Sequence, residues 1–158
     1  MTESVIVPVR SAADLAAAAQ LFRDYAASLD FSLCFQDFDR ELAELPGAYA
    51  PPRGTILLAR EDGVPVGVVA LRPLGADICE MKRLYLAPAS RGGGLGRQLV
   101  LAIIAAARQR GYRAMRLDTV QSSMPAAIAL YRALGFREIP AYTHNPLPDV
   151  LYLELALG

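Results

Sequence analysis

The sequence predicts a mixed α/β layer fold, on three observations. Seven short apolar or β-branched runs are interspersed with four stretches of helical periodicity, so strands and helices share one core. Glycine, proline and Asp-Gly punctuation separates them at short intervals, with no repeats, charge blocks or low-complexity linker. The chain has 158 residues, 54% of them apolar. A chain of that length buries roughly 68–70% of its unfolded surface. These features predict one domain over residues 1–158.

Taken in order, Val5–Val9 is a β-branched strand, and Ser11 with Asp14 forms a near capping box. After it Leu15, Ala18, Ala19, Phe22, Ala26 and Leu29 recur on one helical face. Phe38, Leu42 and Leu45 mark a shorter helix stopped by Pro46-Gly47, and residues 51–54 read as a loop. Thr55–Arg60 and Val66–Arg72 form a hairpin around Asp62-Gly63, and Ile78–Leu86 is a third strand of that group. A glycine cluster leads into a helix over Leu95–Arg110, with Gly111 beyond its end. Arg113–Val120 is a strand, and Pro125 opens a helix over Ala126–Leu134 that Gly135 closes. A strand near Phe136 and a last one over Leu151–Leu157 flank a loop rich in Pro, Asn and His.

Composition excludes several classes of function. Lys+Arg and Asp+Glu balance at 16 each, so nothing overall favours a polyphosphate partner such as nucleic acid. Cys34, Cys79 and the single histidine, His144, have no metal-ligand spacing, so no metal is expected. The longest apolar run, Leu99–Ala107, is far short of the ~20 residues that span a bilayer. The N-terminal segment lacks the basic and apolar regions of a leader, so a cytoplasmic protein with reduced thiols is expected. Only one basic residue, Lys82, is lysine; the Arg and Ala excess points to a GC-rich bacterial genome.

Most chemical information lies between Leu84 and Gly96, where glycines stand at 92, 93, 94 and 96 between a strand and a helix. Helix N-terminal amides are unpaired and point outward, and the helix dipole adds positive potential there. Glycines let the main chain approach an anion closely, so this turn suits a diphosphate. It is not a Walker loop, because Arg97-Gln98 follows Gly96. Neither is it a dinucleotide fingerprint, because the sixth position is Arg97 or Leu99 in the two registers.

What does fit is Arg-x-x-Gly-x-Gly, as Arg91-Gly92-Gly93-Gly94-Leu95-Gly96, preceded by Leu84-x-Leu86-x-Pro88. This resembles the acetyl-CoA site of the GCN5-related N-acetyltransferases (GNAT). Residues 127–136, with Tyr131 four residues before Gly135, resemble that family's second signature. The opening Val9-Arg10 with Asp14 and Leu15, and the closing strand after the Pro-rich loop, are also typical, so the resemblance covers essentially the whole chain. One position departs: Met124 stands seven residues before Tyr131, where family members commonly carry an Asn that contacts pantetheine, with Ser122 and Ser123 beside it.

The resemblance implies a six- or seven-stranded mixed sheet flanked by about four helices, splayed between Ile78–Leu86 and Arg113–Val120 to admit a thioester. The backbone of Leu84, Tyr85 and Leu86 would pair with pantetheine, and residues 91–96 would wrap the pyrophosphate of acetyl-CoA. The acceptor would be a primary amine of a small molecule; homodimers are frequent in the family, but no interface is legible here. Two classes of function stay open on this reading: direct acetyl transfer in a ternary complex, and a non-catalytic acyl-CoA sensor.

Transfer requires removal of a proton from the ammonium, an oxyanion donor and a proton for the leaving thiolate. Glu80, six residues before Leu86, is the candidate base, with His144 or water as alternatives. Tyr131 is the candidate acid, as a phenol protonated at neutral pH. The oxyanion donor is expected among the amides of Leu84–Leu86. A regular strand would put Glu80, Lys82, Leu84 and Leu86 on one face; a bulge would break that parity. Arg72, Tyr142, His144 and Asn145 are candidate acceptor contacts, with Arg72 and Lys82 suited to an acceptor carboxylate. Phe35 and Phe38 read as core. Cys79 would permit an acyl-enzyme, but a strand cysteine is usually a small buried hydrophobe.

Overall fold

The computed structural model describes residues 3–33, 37–122 and 125–158. Cys34, Phe35, Ser123 and Met124 lie outside the described residues. The elements are β1 (Ser4–Pro8), α1 (Ala12–Ser28), α2 (Phe38–Glu44), β2 (Thr55–Glu61), β3 (Val64–Pro73), β4 (Ile78–Leu86), α3 (Leu95–Gln109), β5 (Ala114–Val120), α4 (Pro125–Ala133), β6 (Arg137–Glu138) and β7 (Val150–Ala156). Short 3₁₀ turns occupy Gly47–Tyr49 and Pro88–Ser90.

Local chemistry accounts for the element ends. Ser11 Oγ accepts from the Asp14 amide at 3.0 Å while Asp14 Oδ2 accepts from the Arg10 amide at 3.1 Å, the reciprocal capping legible in the sequence. Asp62 and Gly63 have φ of 50° and 84°, the doubly positive pair of a type I′ turn. The β2–β3 hairpin is therefore tighter than the sequence suggests, β3 starting at Val64 rather than Val66.

The sheet order is β1-β2-β3-β4-β5-β7-β6, antiparallel except between β4 and β5. One face is covered by α1 and α2, through a cluster of Ala18, Leu21, Phe22 and Phe38 on Ile56, Leu58, Val68 and Ala70. The other carries α3 and α4, with Leu99, Ile103 and Tyr131 packed on Val69, Met81, Met115 and Leu117. Among the described residues no helix is long and apolar enough to cross a membrane.

Two irregularities shape the sheet's centre. β4 and β5 pair only at Ile78↔Ala114, Cys79↔Met115 and Glu80↔Arg116, and then diverge, while β5 stays paired with β7 to Val120. The strands therefore splay where expected. The second irregularity decides between the regular and the bulged strand. Between the pairs Ala70↔Lys82 and Val68↔Tyr85, β4 advances by two intervening residues and β3 by one, a bulge at Arg83-Leu84. Before it Cys79 and Met81 face α3; after it Leu84 and Leu86 do, and Tyr85 turns to the α1 side. Glu80 and Lys82 thus do not share a face with Leu84 and Leu86. Arg83 takes φ of 62°. A left-handed non-glycine residue costs about 1–2 kcal/mol. It is held there by Glu41 of α2, whose carboxylate accepts from Nε and Nη2 at 2.9 Å each, and by the Phe38 ring 5.1 Å below the guanidinium.

Candidate active site

The glycine turn and the end of β4 form one wall of an open groove of about 660 Å³. Tyr85, Leu86, Arg91, Gly92, Gly94, Gly96 and Arg97 line this side, and the start of α4 and the end of α1 line the other. Gly92 and Gly94 have φ of 92° and 85°, which only glycine adopts without strain. Gly94 caps α3 with no side chain on its first amides, and a Cβ at 92, 93, 94 or 96 would meet nothing within 4 Å. Open space, unpaired amides, a helix dipole and two arginines fit the diphosphate of a CoA ester. Within the turn the Leu95 side chain is 5% exposed and packs in the core under α3, so its main-chain amide, at the start of the helix, is the part left for an anion. Arg91 also braces β4, its Nε donating to the Leu86 carbonyl at 2.8 Å and its guanidinium lying 5.6 Å from the Tyr85 ring.

The groove continues into the splay past Tyr25, Leu84 and Ala127, which line both. Tyr131 stands inside this cleft, 5% exposed, its ring 5.5 Å from Phe136. Burial holds its phenol above the ordinary tyrosine range, so it stays protonated. Beyond the bulge the β5-facing edge of β4 has left its ladder, which frees main-chain groups for an added strand.

Past the cleft lies a polar chamber of about 140 Å³, which shares Lys82, Arg83 and Asp118 with it as lining. Glu41, Arg72, Glu80, Thr143 and His144 complete it. Glu80 is 1% exposed. Its Oε1 accepts from Arg72 Nε at 2.8 Å and Nη2 at 2.7 Å, and its Oε2 from the Tyr142 hydroxyl at 2.6 Å. Tyr142 is stacked under Arg116 and edge-on to Tyr152, whose hydroxyl holds the Thr143 carbonyl. Asn145 donates to Asp118 Oδ2 at 3.2 Å. Burial pulls the Lys82 ammonium below its ordinary range.

Of the residues singled out in the sequence, Arg72, Glu80 and His144 line the chamber, Tyr142 braces it, and Asn145 and Tyr131 line the cleft. Phe38 is core, beneath Arg83. Four chamber residues were missed: Glu41, Arg83, Asp118 and Thr143. Asp118 had a signal, since Arg116 and Asp118 alternate with Met115 and Leu117 along β5, marking a polar face in the middle of the sheet. Cys79 is fully buried, its thiol donates to the Ala114 carbonyl at 3.5 Å, and burial pushes its pKa up to about 12.

Comparison with known proteins agrees with this fold. The acetyltransferase (GNAT) family description matches residues 17–136. An uncharacterized N-acetyltransferase of Schizosaccharomyces pombe is 42% identical over 140 residues, covering 87% of this chain and 85% of the relative. A crystal structure described as an acyl-CoA N-acyltransferase from Klebsiella pneumoniae superposes with a TM-score of 0.72 at 31% identity, covering 98% of both chains. The chain belongs to the GNAT family and is an N-acetyltransferase. The fold is also that of a Salmonella typhimurium protein crystallised with acetyl-CoA, at TM-score 0.71 and 24% identity, covering 98% of this chain and 94% of that one.

Proposed function

We propose that the protein transfers an acetyl group from acetyl-CoA directly to the primary amine of a small molecule that also bears a carboxylate, as an amino acid does. The observation that carries this reading is the succession of groove, cleft and chamber at the splay, each sharing lining residues with the next. The chamber's formal charges support the acceptor class. Glu41, Glu80 and Asp118 face Arg72, Lys82 and Arg83, a balance suited to a zwitterion rather than a polycation.

In this reading the turn at residues 91–96 holds the diphosphate, and the Leu84–Leu86 main chain holds the pantetheine arm and polarises the acetyl carbonyl. The thioester supplies the acetyl group. Arg72 and Lys82 orient the acceptor carboxylate so that its amine points through the cleft. Tyr131 gives a proton to the departing sulfur. Direct transfer, rather than an acyl-enzyme, is favoured because the Cys79 thiol is buried and its pKa is pushed up to about 12.

The test has two stages. Acetyl-CoA at ~100 times its Kd stabilises by about 2.7 kcal/mol. At roughly 2–4 °C per kcal/mol for a chain this size, Tm should rise about 5–11 °C with acetyl-CoA and CoA, and not with ATP. A primary-amine panel with thiol-release detection should then find turnover concentrated on amino acids. No thermal shift at millimolar acetyl-CoA, or turnover confined to polyamines, would sink the corresponding half of the proposal.

A further inference from the structure

We infer that Asp118 takes the proton from the acceptor's ammonium, and that Asn145 positions it. The inference rests on the transferase reading above and assigns the step that reading leaves open. The register places Asp118 at the right point. The last β4–β5 pair is Glu80↔Arg116, and the next residues on the same face are Lys82 on β4 and Asp118 on β5. Asp118 therefore stands where the strands have just parted. It lines both the cleft that holds Leu84 and Tyr131 and the chamber that holds Arg72 and His144.

Its hydrogen bonding leaves an oxygen available. Asn145 donates to Oδ2 at 3.2 Å, and among the described residues nothing donates to Oδ1. The same Asn145 accepts from the Leu147 amide at 3.0 Å, which fixes the orientation of its side-chain amide. Glu80 contrasts with this. Three donors from Arg72 and Tyr142 occupy both its oxygens, so taking a proton there would break contacts that hold the chamber together. Groups facing Asp118 are Tyr25 from α1, Lys82 and Arg83 from β4, Tyr152 from β7, and Tyr142 and His144 from the late loop. Glu41 and Arg72, on the chamber's far wall, are engaged with Arg83 and Glu80.

The step balances. The bound ammonium gives one proton to Asp118 Oδ1, and the freed lone pair forms the N–C bond as the C–S pair leaves on sulfur. The second nitrogen proton balances the one Tyr131 gives to sulfur, and Asp118 returns its proton to water. The sum is ammonium and thioester to amide, thiol and one solvent proton.

The experiment compares the whole protein, Asp118→Asn, Asp118→Glu and Glu80→Gln in thiol release across pH 6–10, with acetyl-CoA thermal shifts as the folding control. With a base in place kcat/KM should be flat from neutrality to the acceptor amine's own pKa. Asp118→Asn should lose about 100-fold at pH 7, and recover about tenfold per pH unit as free amine forms. Glu80→Gln should keep the flat shape, whatever its height. An Asp118→Asn profile equal to the parent's, or lowered by one factor at every pH, would overturn the inference while leaving the transferase reading intact. Should Asp118→Asn not bind acetyl-CoA, Asp118→Glu decides: a flat profile supports the assignment, and a tenfold-per-unit rise overturns it. If no amine releases thiol from the parent, both readings fall together.

Discussion

The Tyr142 hydroxyl donates to Glu80 Oε2 at 2.6 Å, joining positions 62 residues apart. The bond ties the late loop to the buried strand at the point where β4 leaves β5, and Arg72 holds the other carboxylate oxygen. The carboxylate thus bridges the late loop and β3 across β4. Tyr142→Phe leaves Oε2 without its donor, a loss of about 1.5–3 kcal/mol for a bond to a charged group. Tm should fall roughly 3–12 °C, at 2–4 °C per kcal/mol. Glu80→Ala strands Arg72 as well and should cost about 3–5 kcal/mol. In Tyr142→Phe, the acetyl-CoA shift should survive and the acceptor KM should rise. Melting curves identical to the parent's would show that the latch contributes nothing.

The glycine turn gives substitutions of opposite sign. Gly94→Val forces a β-branched residue into φ of 85°, costing about 1–2 kcal/mol, and should abolish the acetyl-CoA thermal shift. Gly96 lies in the first turn of α3 with no unusual φ, and a Cβ there meets nothing within 4 Å. Gly96→Ala should stabilise the unliganded protein by about 0.5–1 kcal/mol while weakening acetyl-CoA, because the new methyl enters the groove. Calorimetric titration beside melting curves separates the two effects. Unchanged affinity in both variants would remove the diphosphate from this turn.

Why some of this was legible in the sequence and some was not follows from how far apart the interacting residues lie. The turn at 91–96 and the helix it opens are local, written in consecutive glycines, and so were readable. The splay was implied only by family resemblance. The Arg83 bulge carries no glycine to announce it; its left-handed backbone is held by Glu41, 42 residues earlier. Without the bulge, strand alternation puts Leu84 and Leu86 on the wrong face. Glu80 reads as a candidate base rather than as a buried brace, because Tyr142 is invisible as its partner until the last loop folds back. Leu95 reads as part of a binding motif, yet its side chain anchors the helix that the motif begins. Arg116 and Asp118 showed a polar face, but its meaning depends on β4 having moved away.

Tyr131 tests the proton supply to sulfur. Phenylalanine preserves the ring packing on Phe136 and the walls of the cleft, removing only the hydroxyl. Tyr131→Phe should lower kcat by about 100-fold, at the low end for general acid–base catalysis, and leave acetyl-CoA affinity nearly unchanged. Single-turnover thiol release measures this step separately from product dissociation. A rate equal to the parent's would assign the phenol to packing alone.

Alkaline stability should report the same buried phenols. Burial raises the pKa of Tyr49, Tyr131 and Tyr142 above the ordinary 10.0, and the Glu80 carboxylate pushes Tyr142 further. Burial likewise raises Cys79 from 9.0 to about 12. For each group the folded pKa exceeds the unfolded one, so above the unfolded pKa the native state binds more protons. The stabilisation is full below pH 9 for Cys79 and below pH 10 for the tyrosines, and is lost as pH climbs from there through the folded values. Tm should hold to about pH 9 and then decline. Absorbance at the tyrosinate band, followed during the same titration, should show Tyr49, Tyr131 and Tyr142 ionising only as the fold opens, giving a cooperative step in step with unfolding. If all seven tyrosines instead ionise smoothly near pH 10 with the fold intact, the phenol of Tyr131 is not shielded in the way its proposed role requires.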